Sequence, residues 1–134
     1  MHPIRMSYME GAIRTAIAFN EARNRHDIVK MMQLLHEDCV LETAEPAPEG
    51  TKYTGKDVIS RFWQEFFSKS PHAHFKIEEV FGLGYRCVMR WRYSSSESEM
   101  GEDYIRGVDI FQFKEDLIVE MLSYVKEALE QESG

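Results

Sequence analysis

The stretch RGVDIFQF, residues 106 to 113, puts a carboxyl group where chemistry needs one. With strand alternation, Ile105, Gly107, Asp109, Phe111 and Phe113 share one face, and Arg106, Val108, Ile110 and Gln112 share the other. Asp109 is therefore on the aromatic side. An ionised carboxylate there needs a partner; otherwise it keeps its proton and becomes a hydrogen-bond donor or general acid. The first arrangement fixes a core through a neighbouring Tyr, Trp or Arg, whereas the second belongs to a site, because burial is what shifts a carboxyl's pKa. Proton transfer also needs a second titrating group, and His74, at the start of a predicted strand, is one candidate.

Several elements must position that carboxyl. From Ser7 to about Asn24, Met9, Ala12, Ile13, Ala16, Ile17 and Asn20 recur at helical spacing, widened by Phe19. NRHD ends that helix, and Asp27 caps a second one carrying Ile28, Met31, Met32 and Leu35, which ends near His36. CVLET, from Cys39, reads as a short strand, and AEPAPEGTKYTG as a loop enforced by its prolines and glycines. The pairs Val58/Ile59, Phe62/Trp63 and Phe66/Phe67 give a third helix, Lys56 to about Lys69, with a heavy aromatic face. The segments HFKIEEVFGLG, YRCVMRWRYS, EDYIRGVDIFQF and LIVEMLSYVK then alternate as four strands. The expected architecture is α+β: three helices over one face of a curved, mostly antiparallel sheet.

At 134 residues the chain fits a single domain, residues 1–134. Its net charge of −7 argues against binding nucleic acid, which needs a basic surface to displace counterions. MHPIRMSYME lacks the apolar stretch of a secretion signal and no run approaches a membrane span, so the expected location is cytoplasmic with no membrane partner. Cys39 and Cys87 lie in predicted strands among apolar neighbours and read as small buried hydrophobes. His72 and His74 have a chelating spacing but no third donor nearby, so no metal is expected. Arg86, Arg90 and Arg92 form a basic strip on the face opposite Tyr85, Cys87, Met89, Trp91 and Tyr93, suited to a dimer partner's acids. SESEMGED reads as a solvated hairpin.

The pieces AFNEARNRHDIVKMMQLLHEDCVLE, YTGKDVISRFWQEFF and RGVDIFQFKEDLIVEMLSYVK occur in the order and spacing of a known family. The chain resembles the SnoaL-like branch of the nuclear transport factor 2-like superfamily, which includes polyketide cyclases and ketosteroid isomerase. The resemblance implies a cone-shaped fold with an apolar pocket, a homodimer, a small apolar ligand that bears a carbonyl or is polycyclic, and no cofactor. It implies a working carboxyl at Asp109: in ketosteroid isomerase the matching Asp stays protonated and donates to the developing oxyanion. Two departures accompany it. Phe19 stands at the place of the isomerase's oxyanion tyrosine, and Thr43 at the place of its proton-shuttling Asp. Glu42 and Glu45 flank Thr43 and are the candidates for the missing second group. Similarly, Arg90 matches an arginine of limonene epoxide hydrolase, but Arg92 replaces its Asp. The KEDLI turn lacks the glycine of the family's usual hairpin.

The expected ligand-binding residues are Phe19, Thr43, Tyr53, Trp63 and Phe67 from the N-terminal half, with Met89, Trp91, Phe111 and Met121 from the strands. Phe66 and Tyr124 share the same aromatic character. The two functional classes that remain open are a cofactor-independent isomerase or cyclase type of enzyme and a non-catalytic ligand-binding or dimerisation module.

Overall fold

The computed structural model describes residues 3–95 and 104–126. The elements run α1 (Pro3–Asn24), α2 (Ile28–Gln33), β1 (Leu35–Thr43), β2 (Thr51–Thr54), α3 (Lys56–Lys69), β3 (His74–Leu83), β4 (Arg86–Ser94), β5 (Ile105–Lys114) and β6 (Leu117–Lys126). The six strands form one sheet in the order β2-β1-β6-β5-β4-β3. All neighbours are antiparallel except β1 and β6, which run parallel. The architecture is the expected α+β one, helices over a mostly antiparallel sheet. No helix among the described residues is long and apolar enough to cross a membrane. The SESEMGED segment lies outside the described residues.

Three boundaries differ from the sequence reading, the first being α1, which opens at Pro3 rather than Ser7. Leu35 opens β1 rather than closing α2, because α2 stops at Gln33 and Leu35 pairs with Ile118. TKYT, read as loop, is the edge strand β2, pairing Thr51–Thr54 with Val40–Thr43. Its four residues are too short for alternation to stand out against the flanking glycines and prolines.

Helix α1 lies on the sheet through Ala12, Ala16 and Phe19, all buried. The two alanines let its backbone come close, and Phe19 then reaches Phe111 edge-on at 6.2 Å. Helix α3 buries Ile59, Trp63 and Phe67, four residues apart, against the same core. Asp27 caps α2 by accepting from the backbone N–H of Lys30 at 3.1 Å.

Candidate functional site

The inner face of the sheet is organised in rows set by strand register. Cys87, Phe111 and Met121 lie abreast on β4, β5 and β6, as do Met89, Asp109 and Ser123 in the next row and Trp91, Gly107 and Val125 in the next. Tyr93 and Ile105 continue at the open end. Rows towards Cys87 are solid core, and a cavity of about 350 Å³ starts at the row of Ser123. Helix α3 covers it with Phe62, Trp63 and Phe66, and Leu41, Thr43, Glu45 and Tyr53 close the side formed by β1 and β2. Its volume falls at the small end of ligand pockets. Gly107 is required here: a Cβ on it would sit 2.5 Å from the Trp91 ring and 2.6 Å from the Tyr124 carbonyl oxygen. Without that side chain, the Trp91 indole lies across the strand.

Asp109 occupies the last core row and does not line the cavity. It is 0% exposed and paired on both oxygens. Arg23, from the buried stripe of α1, donates through Nη1 to Oδ2 at 2.9 Å, and Ser123 Oγ donates to Oδ1 at 2.6 Å. Arg23 itself is 1% exposed. Its Nε and Nη2 donate to Asn20 Oδ1 at 3.2 and 2.6 Å, and Asn20 Nδ2 donates to the Phe75 carbonyl at 3.1 Å. The guanidinium lies over the Phe75 ring, 3.7 Å from its centre, as a desolvated cation–π contact. Burial, the larger influence, pulls the Arg23 pKa below its ordinary value, and the charge of and hydrogen bond to Asp109 oppose that. The carboxyl among phenylalanines is held by an arginine and a serine. Both of those residues, unlike Asp109, are on the cavity wall.

Of the expected ligand-binding residues, Thr43, Tyr53, Trp63 and Trp91 line the cavity together with Glu45. Phe19, Phe67, Met89, Phe111 and Met121 do not; they lie in the core beneath the wall. The reason is register along the strands: α1 fills the concave face over the lower rows, so only residues near one end of each strand reach open space. Phe67 is further taken up by the His26 ring, stacked on it at 4.1 Å. Glu42 alternates away from Leu41 and Thr43 and is off the wall, and His74 is also absent from it. Tyr124, 54% exposed, is on the outer face of the sheet.

Sequence reasoning missed Arg23, Ser123 and Phe75. Arg23 had a signal, because it follows Asn20 by three positions and Phe19 by four on a stripe already read as buried. Ser123 had none.

The basic strip is neutralised within the chain. Glu78 accepts from Arg92 at 3.1 Å and from Arg106 at 2.9 Å, Glu79 accepts from Arg90 at 2.7 Å, and Arg86 lies 3.7 Å from Glu120. Glu79 sits directly across the ladder from Arg90, where cross-strand pairing brings opposite charges together; Glu78 falls at the irregularity after Ile77, and Glu120 lies one strand further from Arg86, beyond Gln112. Hydrogen bonding to Arg106, foremost, holds the Glu78 carboxyl below the usual carboxylate range.

The helices packed on a six-stranded, mostly antiparallel sheet define a mixed α+β fold. The model of the SnoaL-like domain matches residues 16–121, and the chain belongs to that family. A nuclear transport factor 2-like protein of unknown function from Mesorhizobium loti is 31% identical, with 89% of this chain and 93% of that one covered at a TM-score of 0.75. A ketosteroid isomerase candidate from Kribbella flavida shares the fold at 19% identity (TM-score 0.75, covering 94% of this chain and 85% of that one). A polyketide cyclase candidate from Sinorhizobium meliloti does so at 16% identity (TM-score 0.69, covering 83% and 94%). No curated protein matches the chain in sequence.

Proposed function

We propose that this chain takes up a small, flat, largely apolar molecule, carbonyl-bearing or polycyclic, in the cavity under α3. The observation that carries this reading is an aromatic-walled hollow of about 350 Å³ with a buried guanidinium on its wall. A hollow that only filled out the fold would be lined by apolar groups; this one has polar atoms left without partners. The indole N–H groups of Trp63 and Trp91, both wall residues, have no acceptor among the described residues. Asp109 enters the reading as the group that positions Arg23 and Ser123, not as an acid touching the ligand. The chain purified from cells and extracted into organic solvent should release a conjugated apolar compound, identified by mass spectrometry. A preparation that releases nothing and binds no member of a panel of flat aromatic carbonyl compounds by calorimetry would end the reading.

A second reading adds proton transfer of the isomerase or cyclase type, and one observation favours it. Glu45 lines the cavity, and its backbone carbonyl is held by the hydroxyls of Thr43 at 3.2 Å and Thr51 at 2.8 Å. A carboxylate at that rim is suited to removing a proton next to a ligand carbonyl, a step that needs no cofactor. The corresponding test follows deuterium incorporation beside the carbonyl of a bound ketone by NMR in D₂O. Glu45→Gln should stop the exchange without weakening binding; equal exchange rates in both proteins would leave binding alone.

A further inference from the structure

We propose that Arg23 is the specificity determinant of this cavity: it holds a neutral hydrogen-bond acceptor of the ligand, and its pairing with Asp109 makes the site reject anions of the same shape. The proposal rests on the reading of the cavity as a small-molecule site and goes further by assigning the contact and the charge of what is bound.

A guanidinium has five N–H groups, of which three are committed, two to Asn20 and one to Asp109. Each of its three nitrogens thus has one partner, and the second N–H groups of Nη1 and Nη2 are what this side chain, which lines the cavity and is 1% exposed, can offer a ligand. The indole N–H groups of Trp63 and Trp91, 4% and 3% exposed, are in the same position. Among the described residues, the buried side-chain atoms left without a partner on this wall, the two indole nitrogens, are therefore donors. Ser123 does not alter the balance, because its hydroxyl hydrogen is directed to Asp109. A ligand that satisfies these groups presents lone pairs. One that presents N–H or O–H to them leaves donors facing donors, which costs the desolvation of each.

Charge then separates the acceptors. Arg23 and Asp109 are a neutral pair, so a carboxylate brought to the same guanidinium would leave one uncompensated negative charge in the interior, close to the Asp109 carboxylate. A carbonyl oxygen takes the same hydrogen bonds without that penalty. Geometry supports the assignment too: Asn20 and Asp109 grip the fork from two directions and Phe75 supports its plane, so Arg23 cannot turn to follow a ligand. Asn20 and Asp109 are positioning residues.

Three probes of matched ring and size test this by titration calorimetry on the intact chain: 2-acetylnaphthalene, 2-ethylnaphthalene and 2-naphthoate. The expected result is that the ketone binds at least about tenfold tighter than the hydrocarbon, and tighter than the carboxylate by a similar factor. Naphthoate binding tightest would overturn the proposal. Equal affinities for ketone and hydrocarbon would remove Arg23 from recognition while leaving the pocket reading intact, whereas no binding of any probe would sink both. Arg23→Met combined with Asp109→Leu leaves no buried charge behind; it should keep the hydrocarbon's affinity and lose the preference for the ketone. A preference that survives in the double variant overturns the assignment, and the probe series on the native chain decides the question even if that variant does not fold.

Discussion

Asp109 and Arg23 are each intolerable alone. A carboxylate at 0% exposure and a guanidinium at 1% persist only because each removes the other's need for water. Replacing one partner should therefore be far worse than replacing both. Asp109→Leu is expected to cost about 3–5 kcal/mol in urea unfolding, and adding Arg23→Met should recover most of that loss. A single variant as stable as the double would show that the pair is not buried as described. The thiols give a second expectation. Burial pushes Cys39 up to about 12 and Cys87 up to about 11, so at pH 8 the folded chain holds almost no thiolate at either position. Ellman's reagent should leave both cysteines untouched in the native protein and modify both in urea; rapid native labelling would contradict the packing of β1 and β4. At this scale the face occupied by Asp109 was legible from alternation alone. Its partner was not, because Arg23 lies 86 residues away in sequence and nothing local couples the two.

Between β5 and β6 the chain turns through Glu115 and Asp116, both left-handed, with φ of 55° and 65°. Two left-handed residues in a two-residue hairpin define the turn type that favours Asn-Gly, so this chain makes it with residues that have a Cβ in the way. Asp116→Gly should stabilise the fold by about 0.5–1 kcal/mol, relief of strain outweighing the added freedom of the unfolded chain, as measured by the shift in the denaturation midpoint. No change or a loss would mean that the turn is not strained. The missing glycine was visible in KEDLI; that the turn is nonetheless tight follows from the register that aligns Lys114 with Leu117. Helix α3 and strands β3, β4 and β6 were legible because their patterns are long. Strand β2 was not, since an edge strand of four residues is defined by its partner rather than by its own pattern.

For the whole molecule, the two tryptophans of the chain both line the cavity, so intrinsic fluorescence reports on this site. A ligand that enters should change that fluorescence and raise Tm together, by about 2.7 kcal/mol of added stability at a hundredfold excess over Kd. A compound that shifts Tm but leaves tryptophan emission unchanged binds elsewhere. The acids that the basic strip was expected to meet on a partner are present within the chain, as Glu78, Glu79 and Glu120. What the amino-acid order determined by itself was local and periodic: which residues are helical, which alternate, which face carries the carboxyl, and the family to which the pattern belongs. Only the tertiary structure decided which of the inward-facing side chains meet open space. All of them look alike in sequence, and the boundary between core and cavity is set by where α1 stops covering the sheet, a property of packing between distant segments.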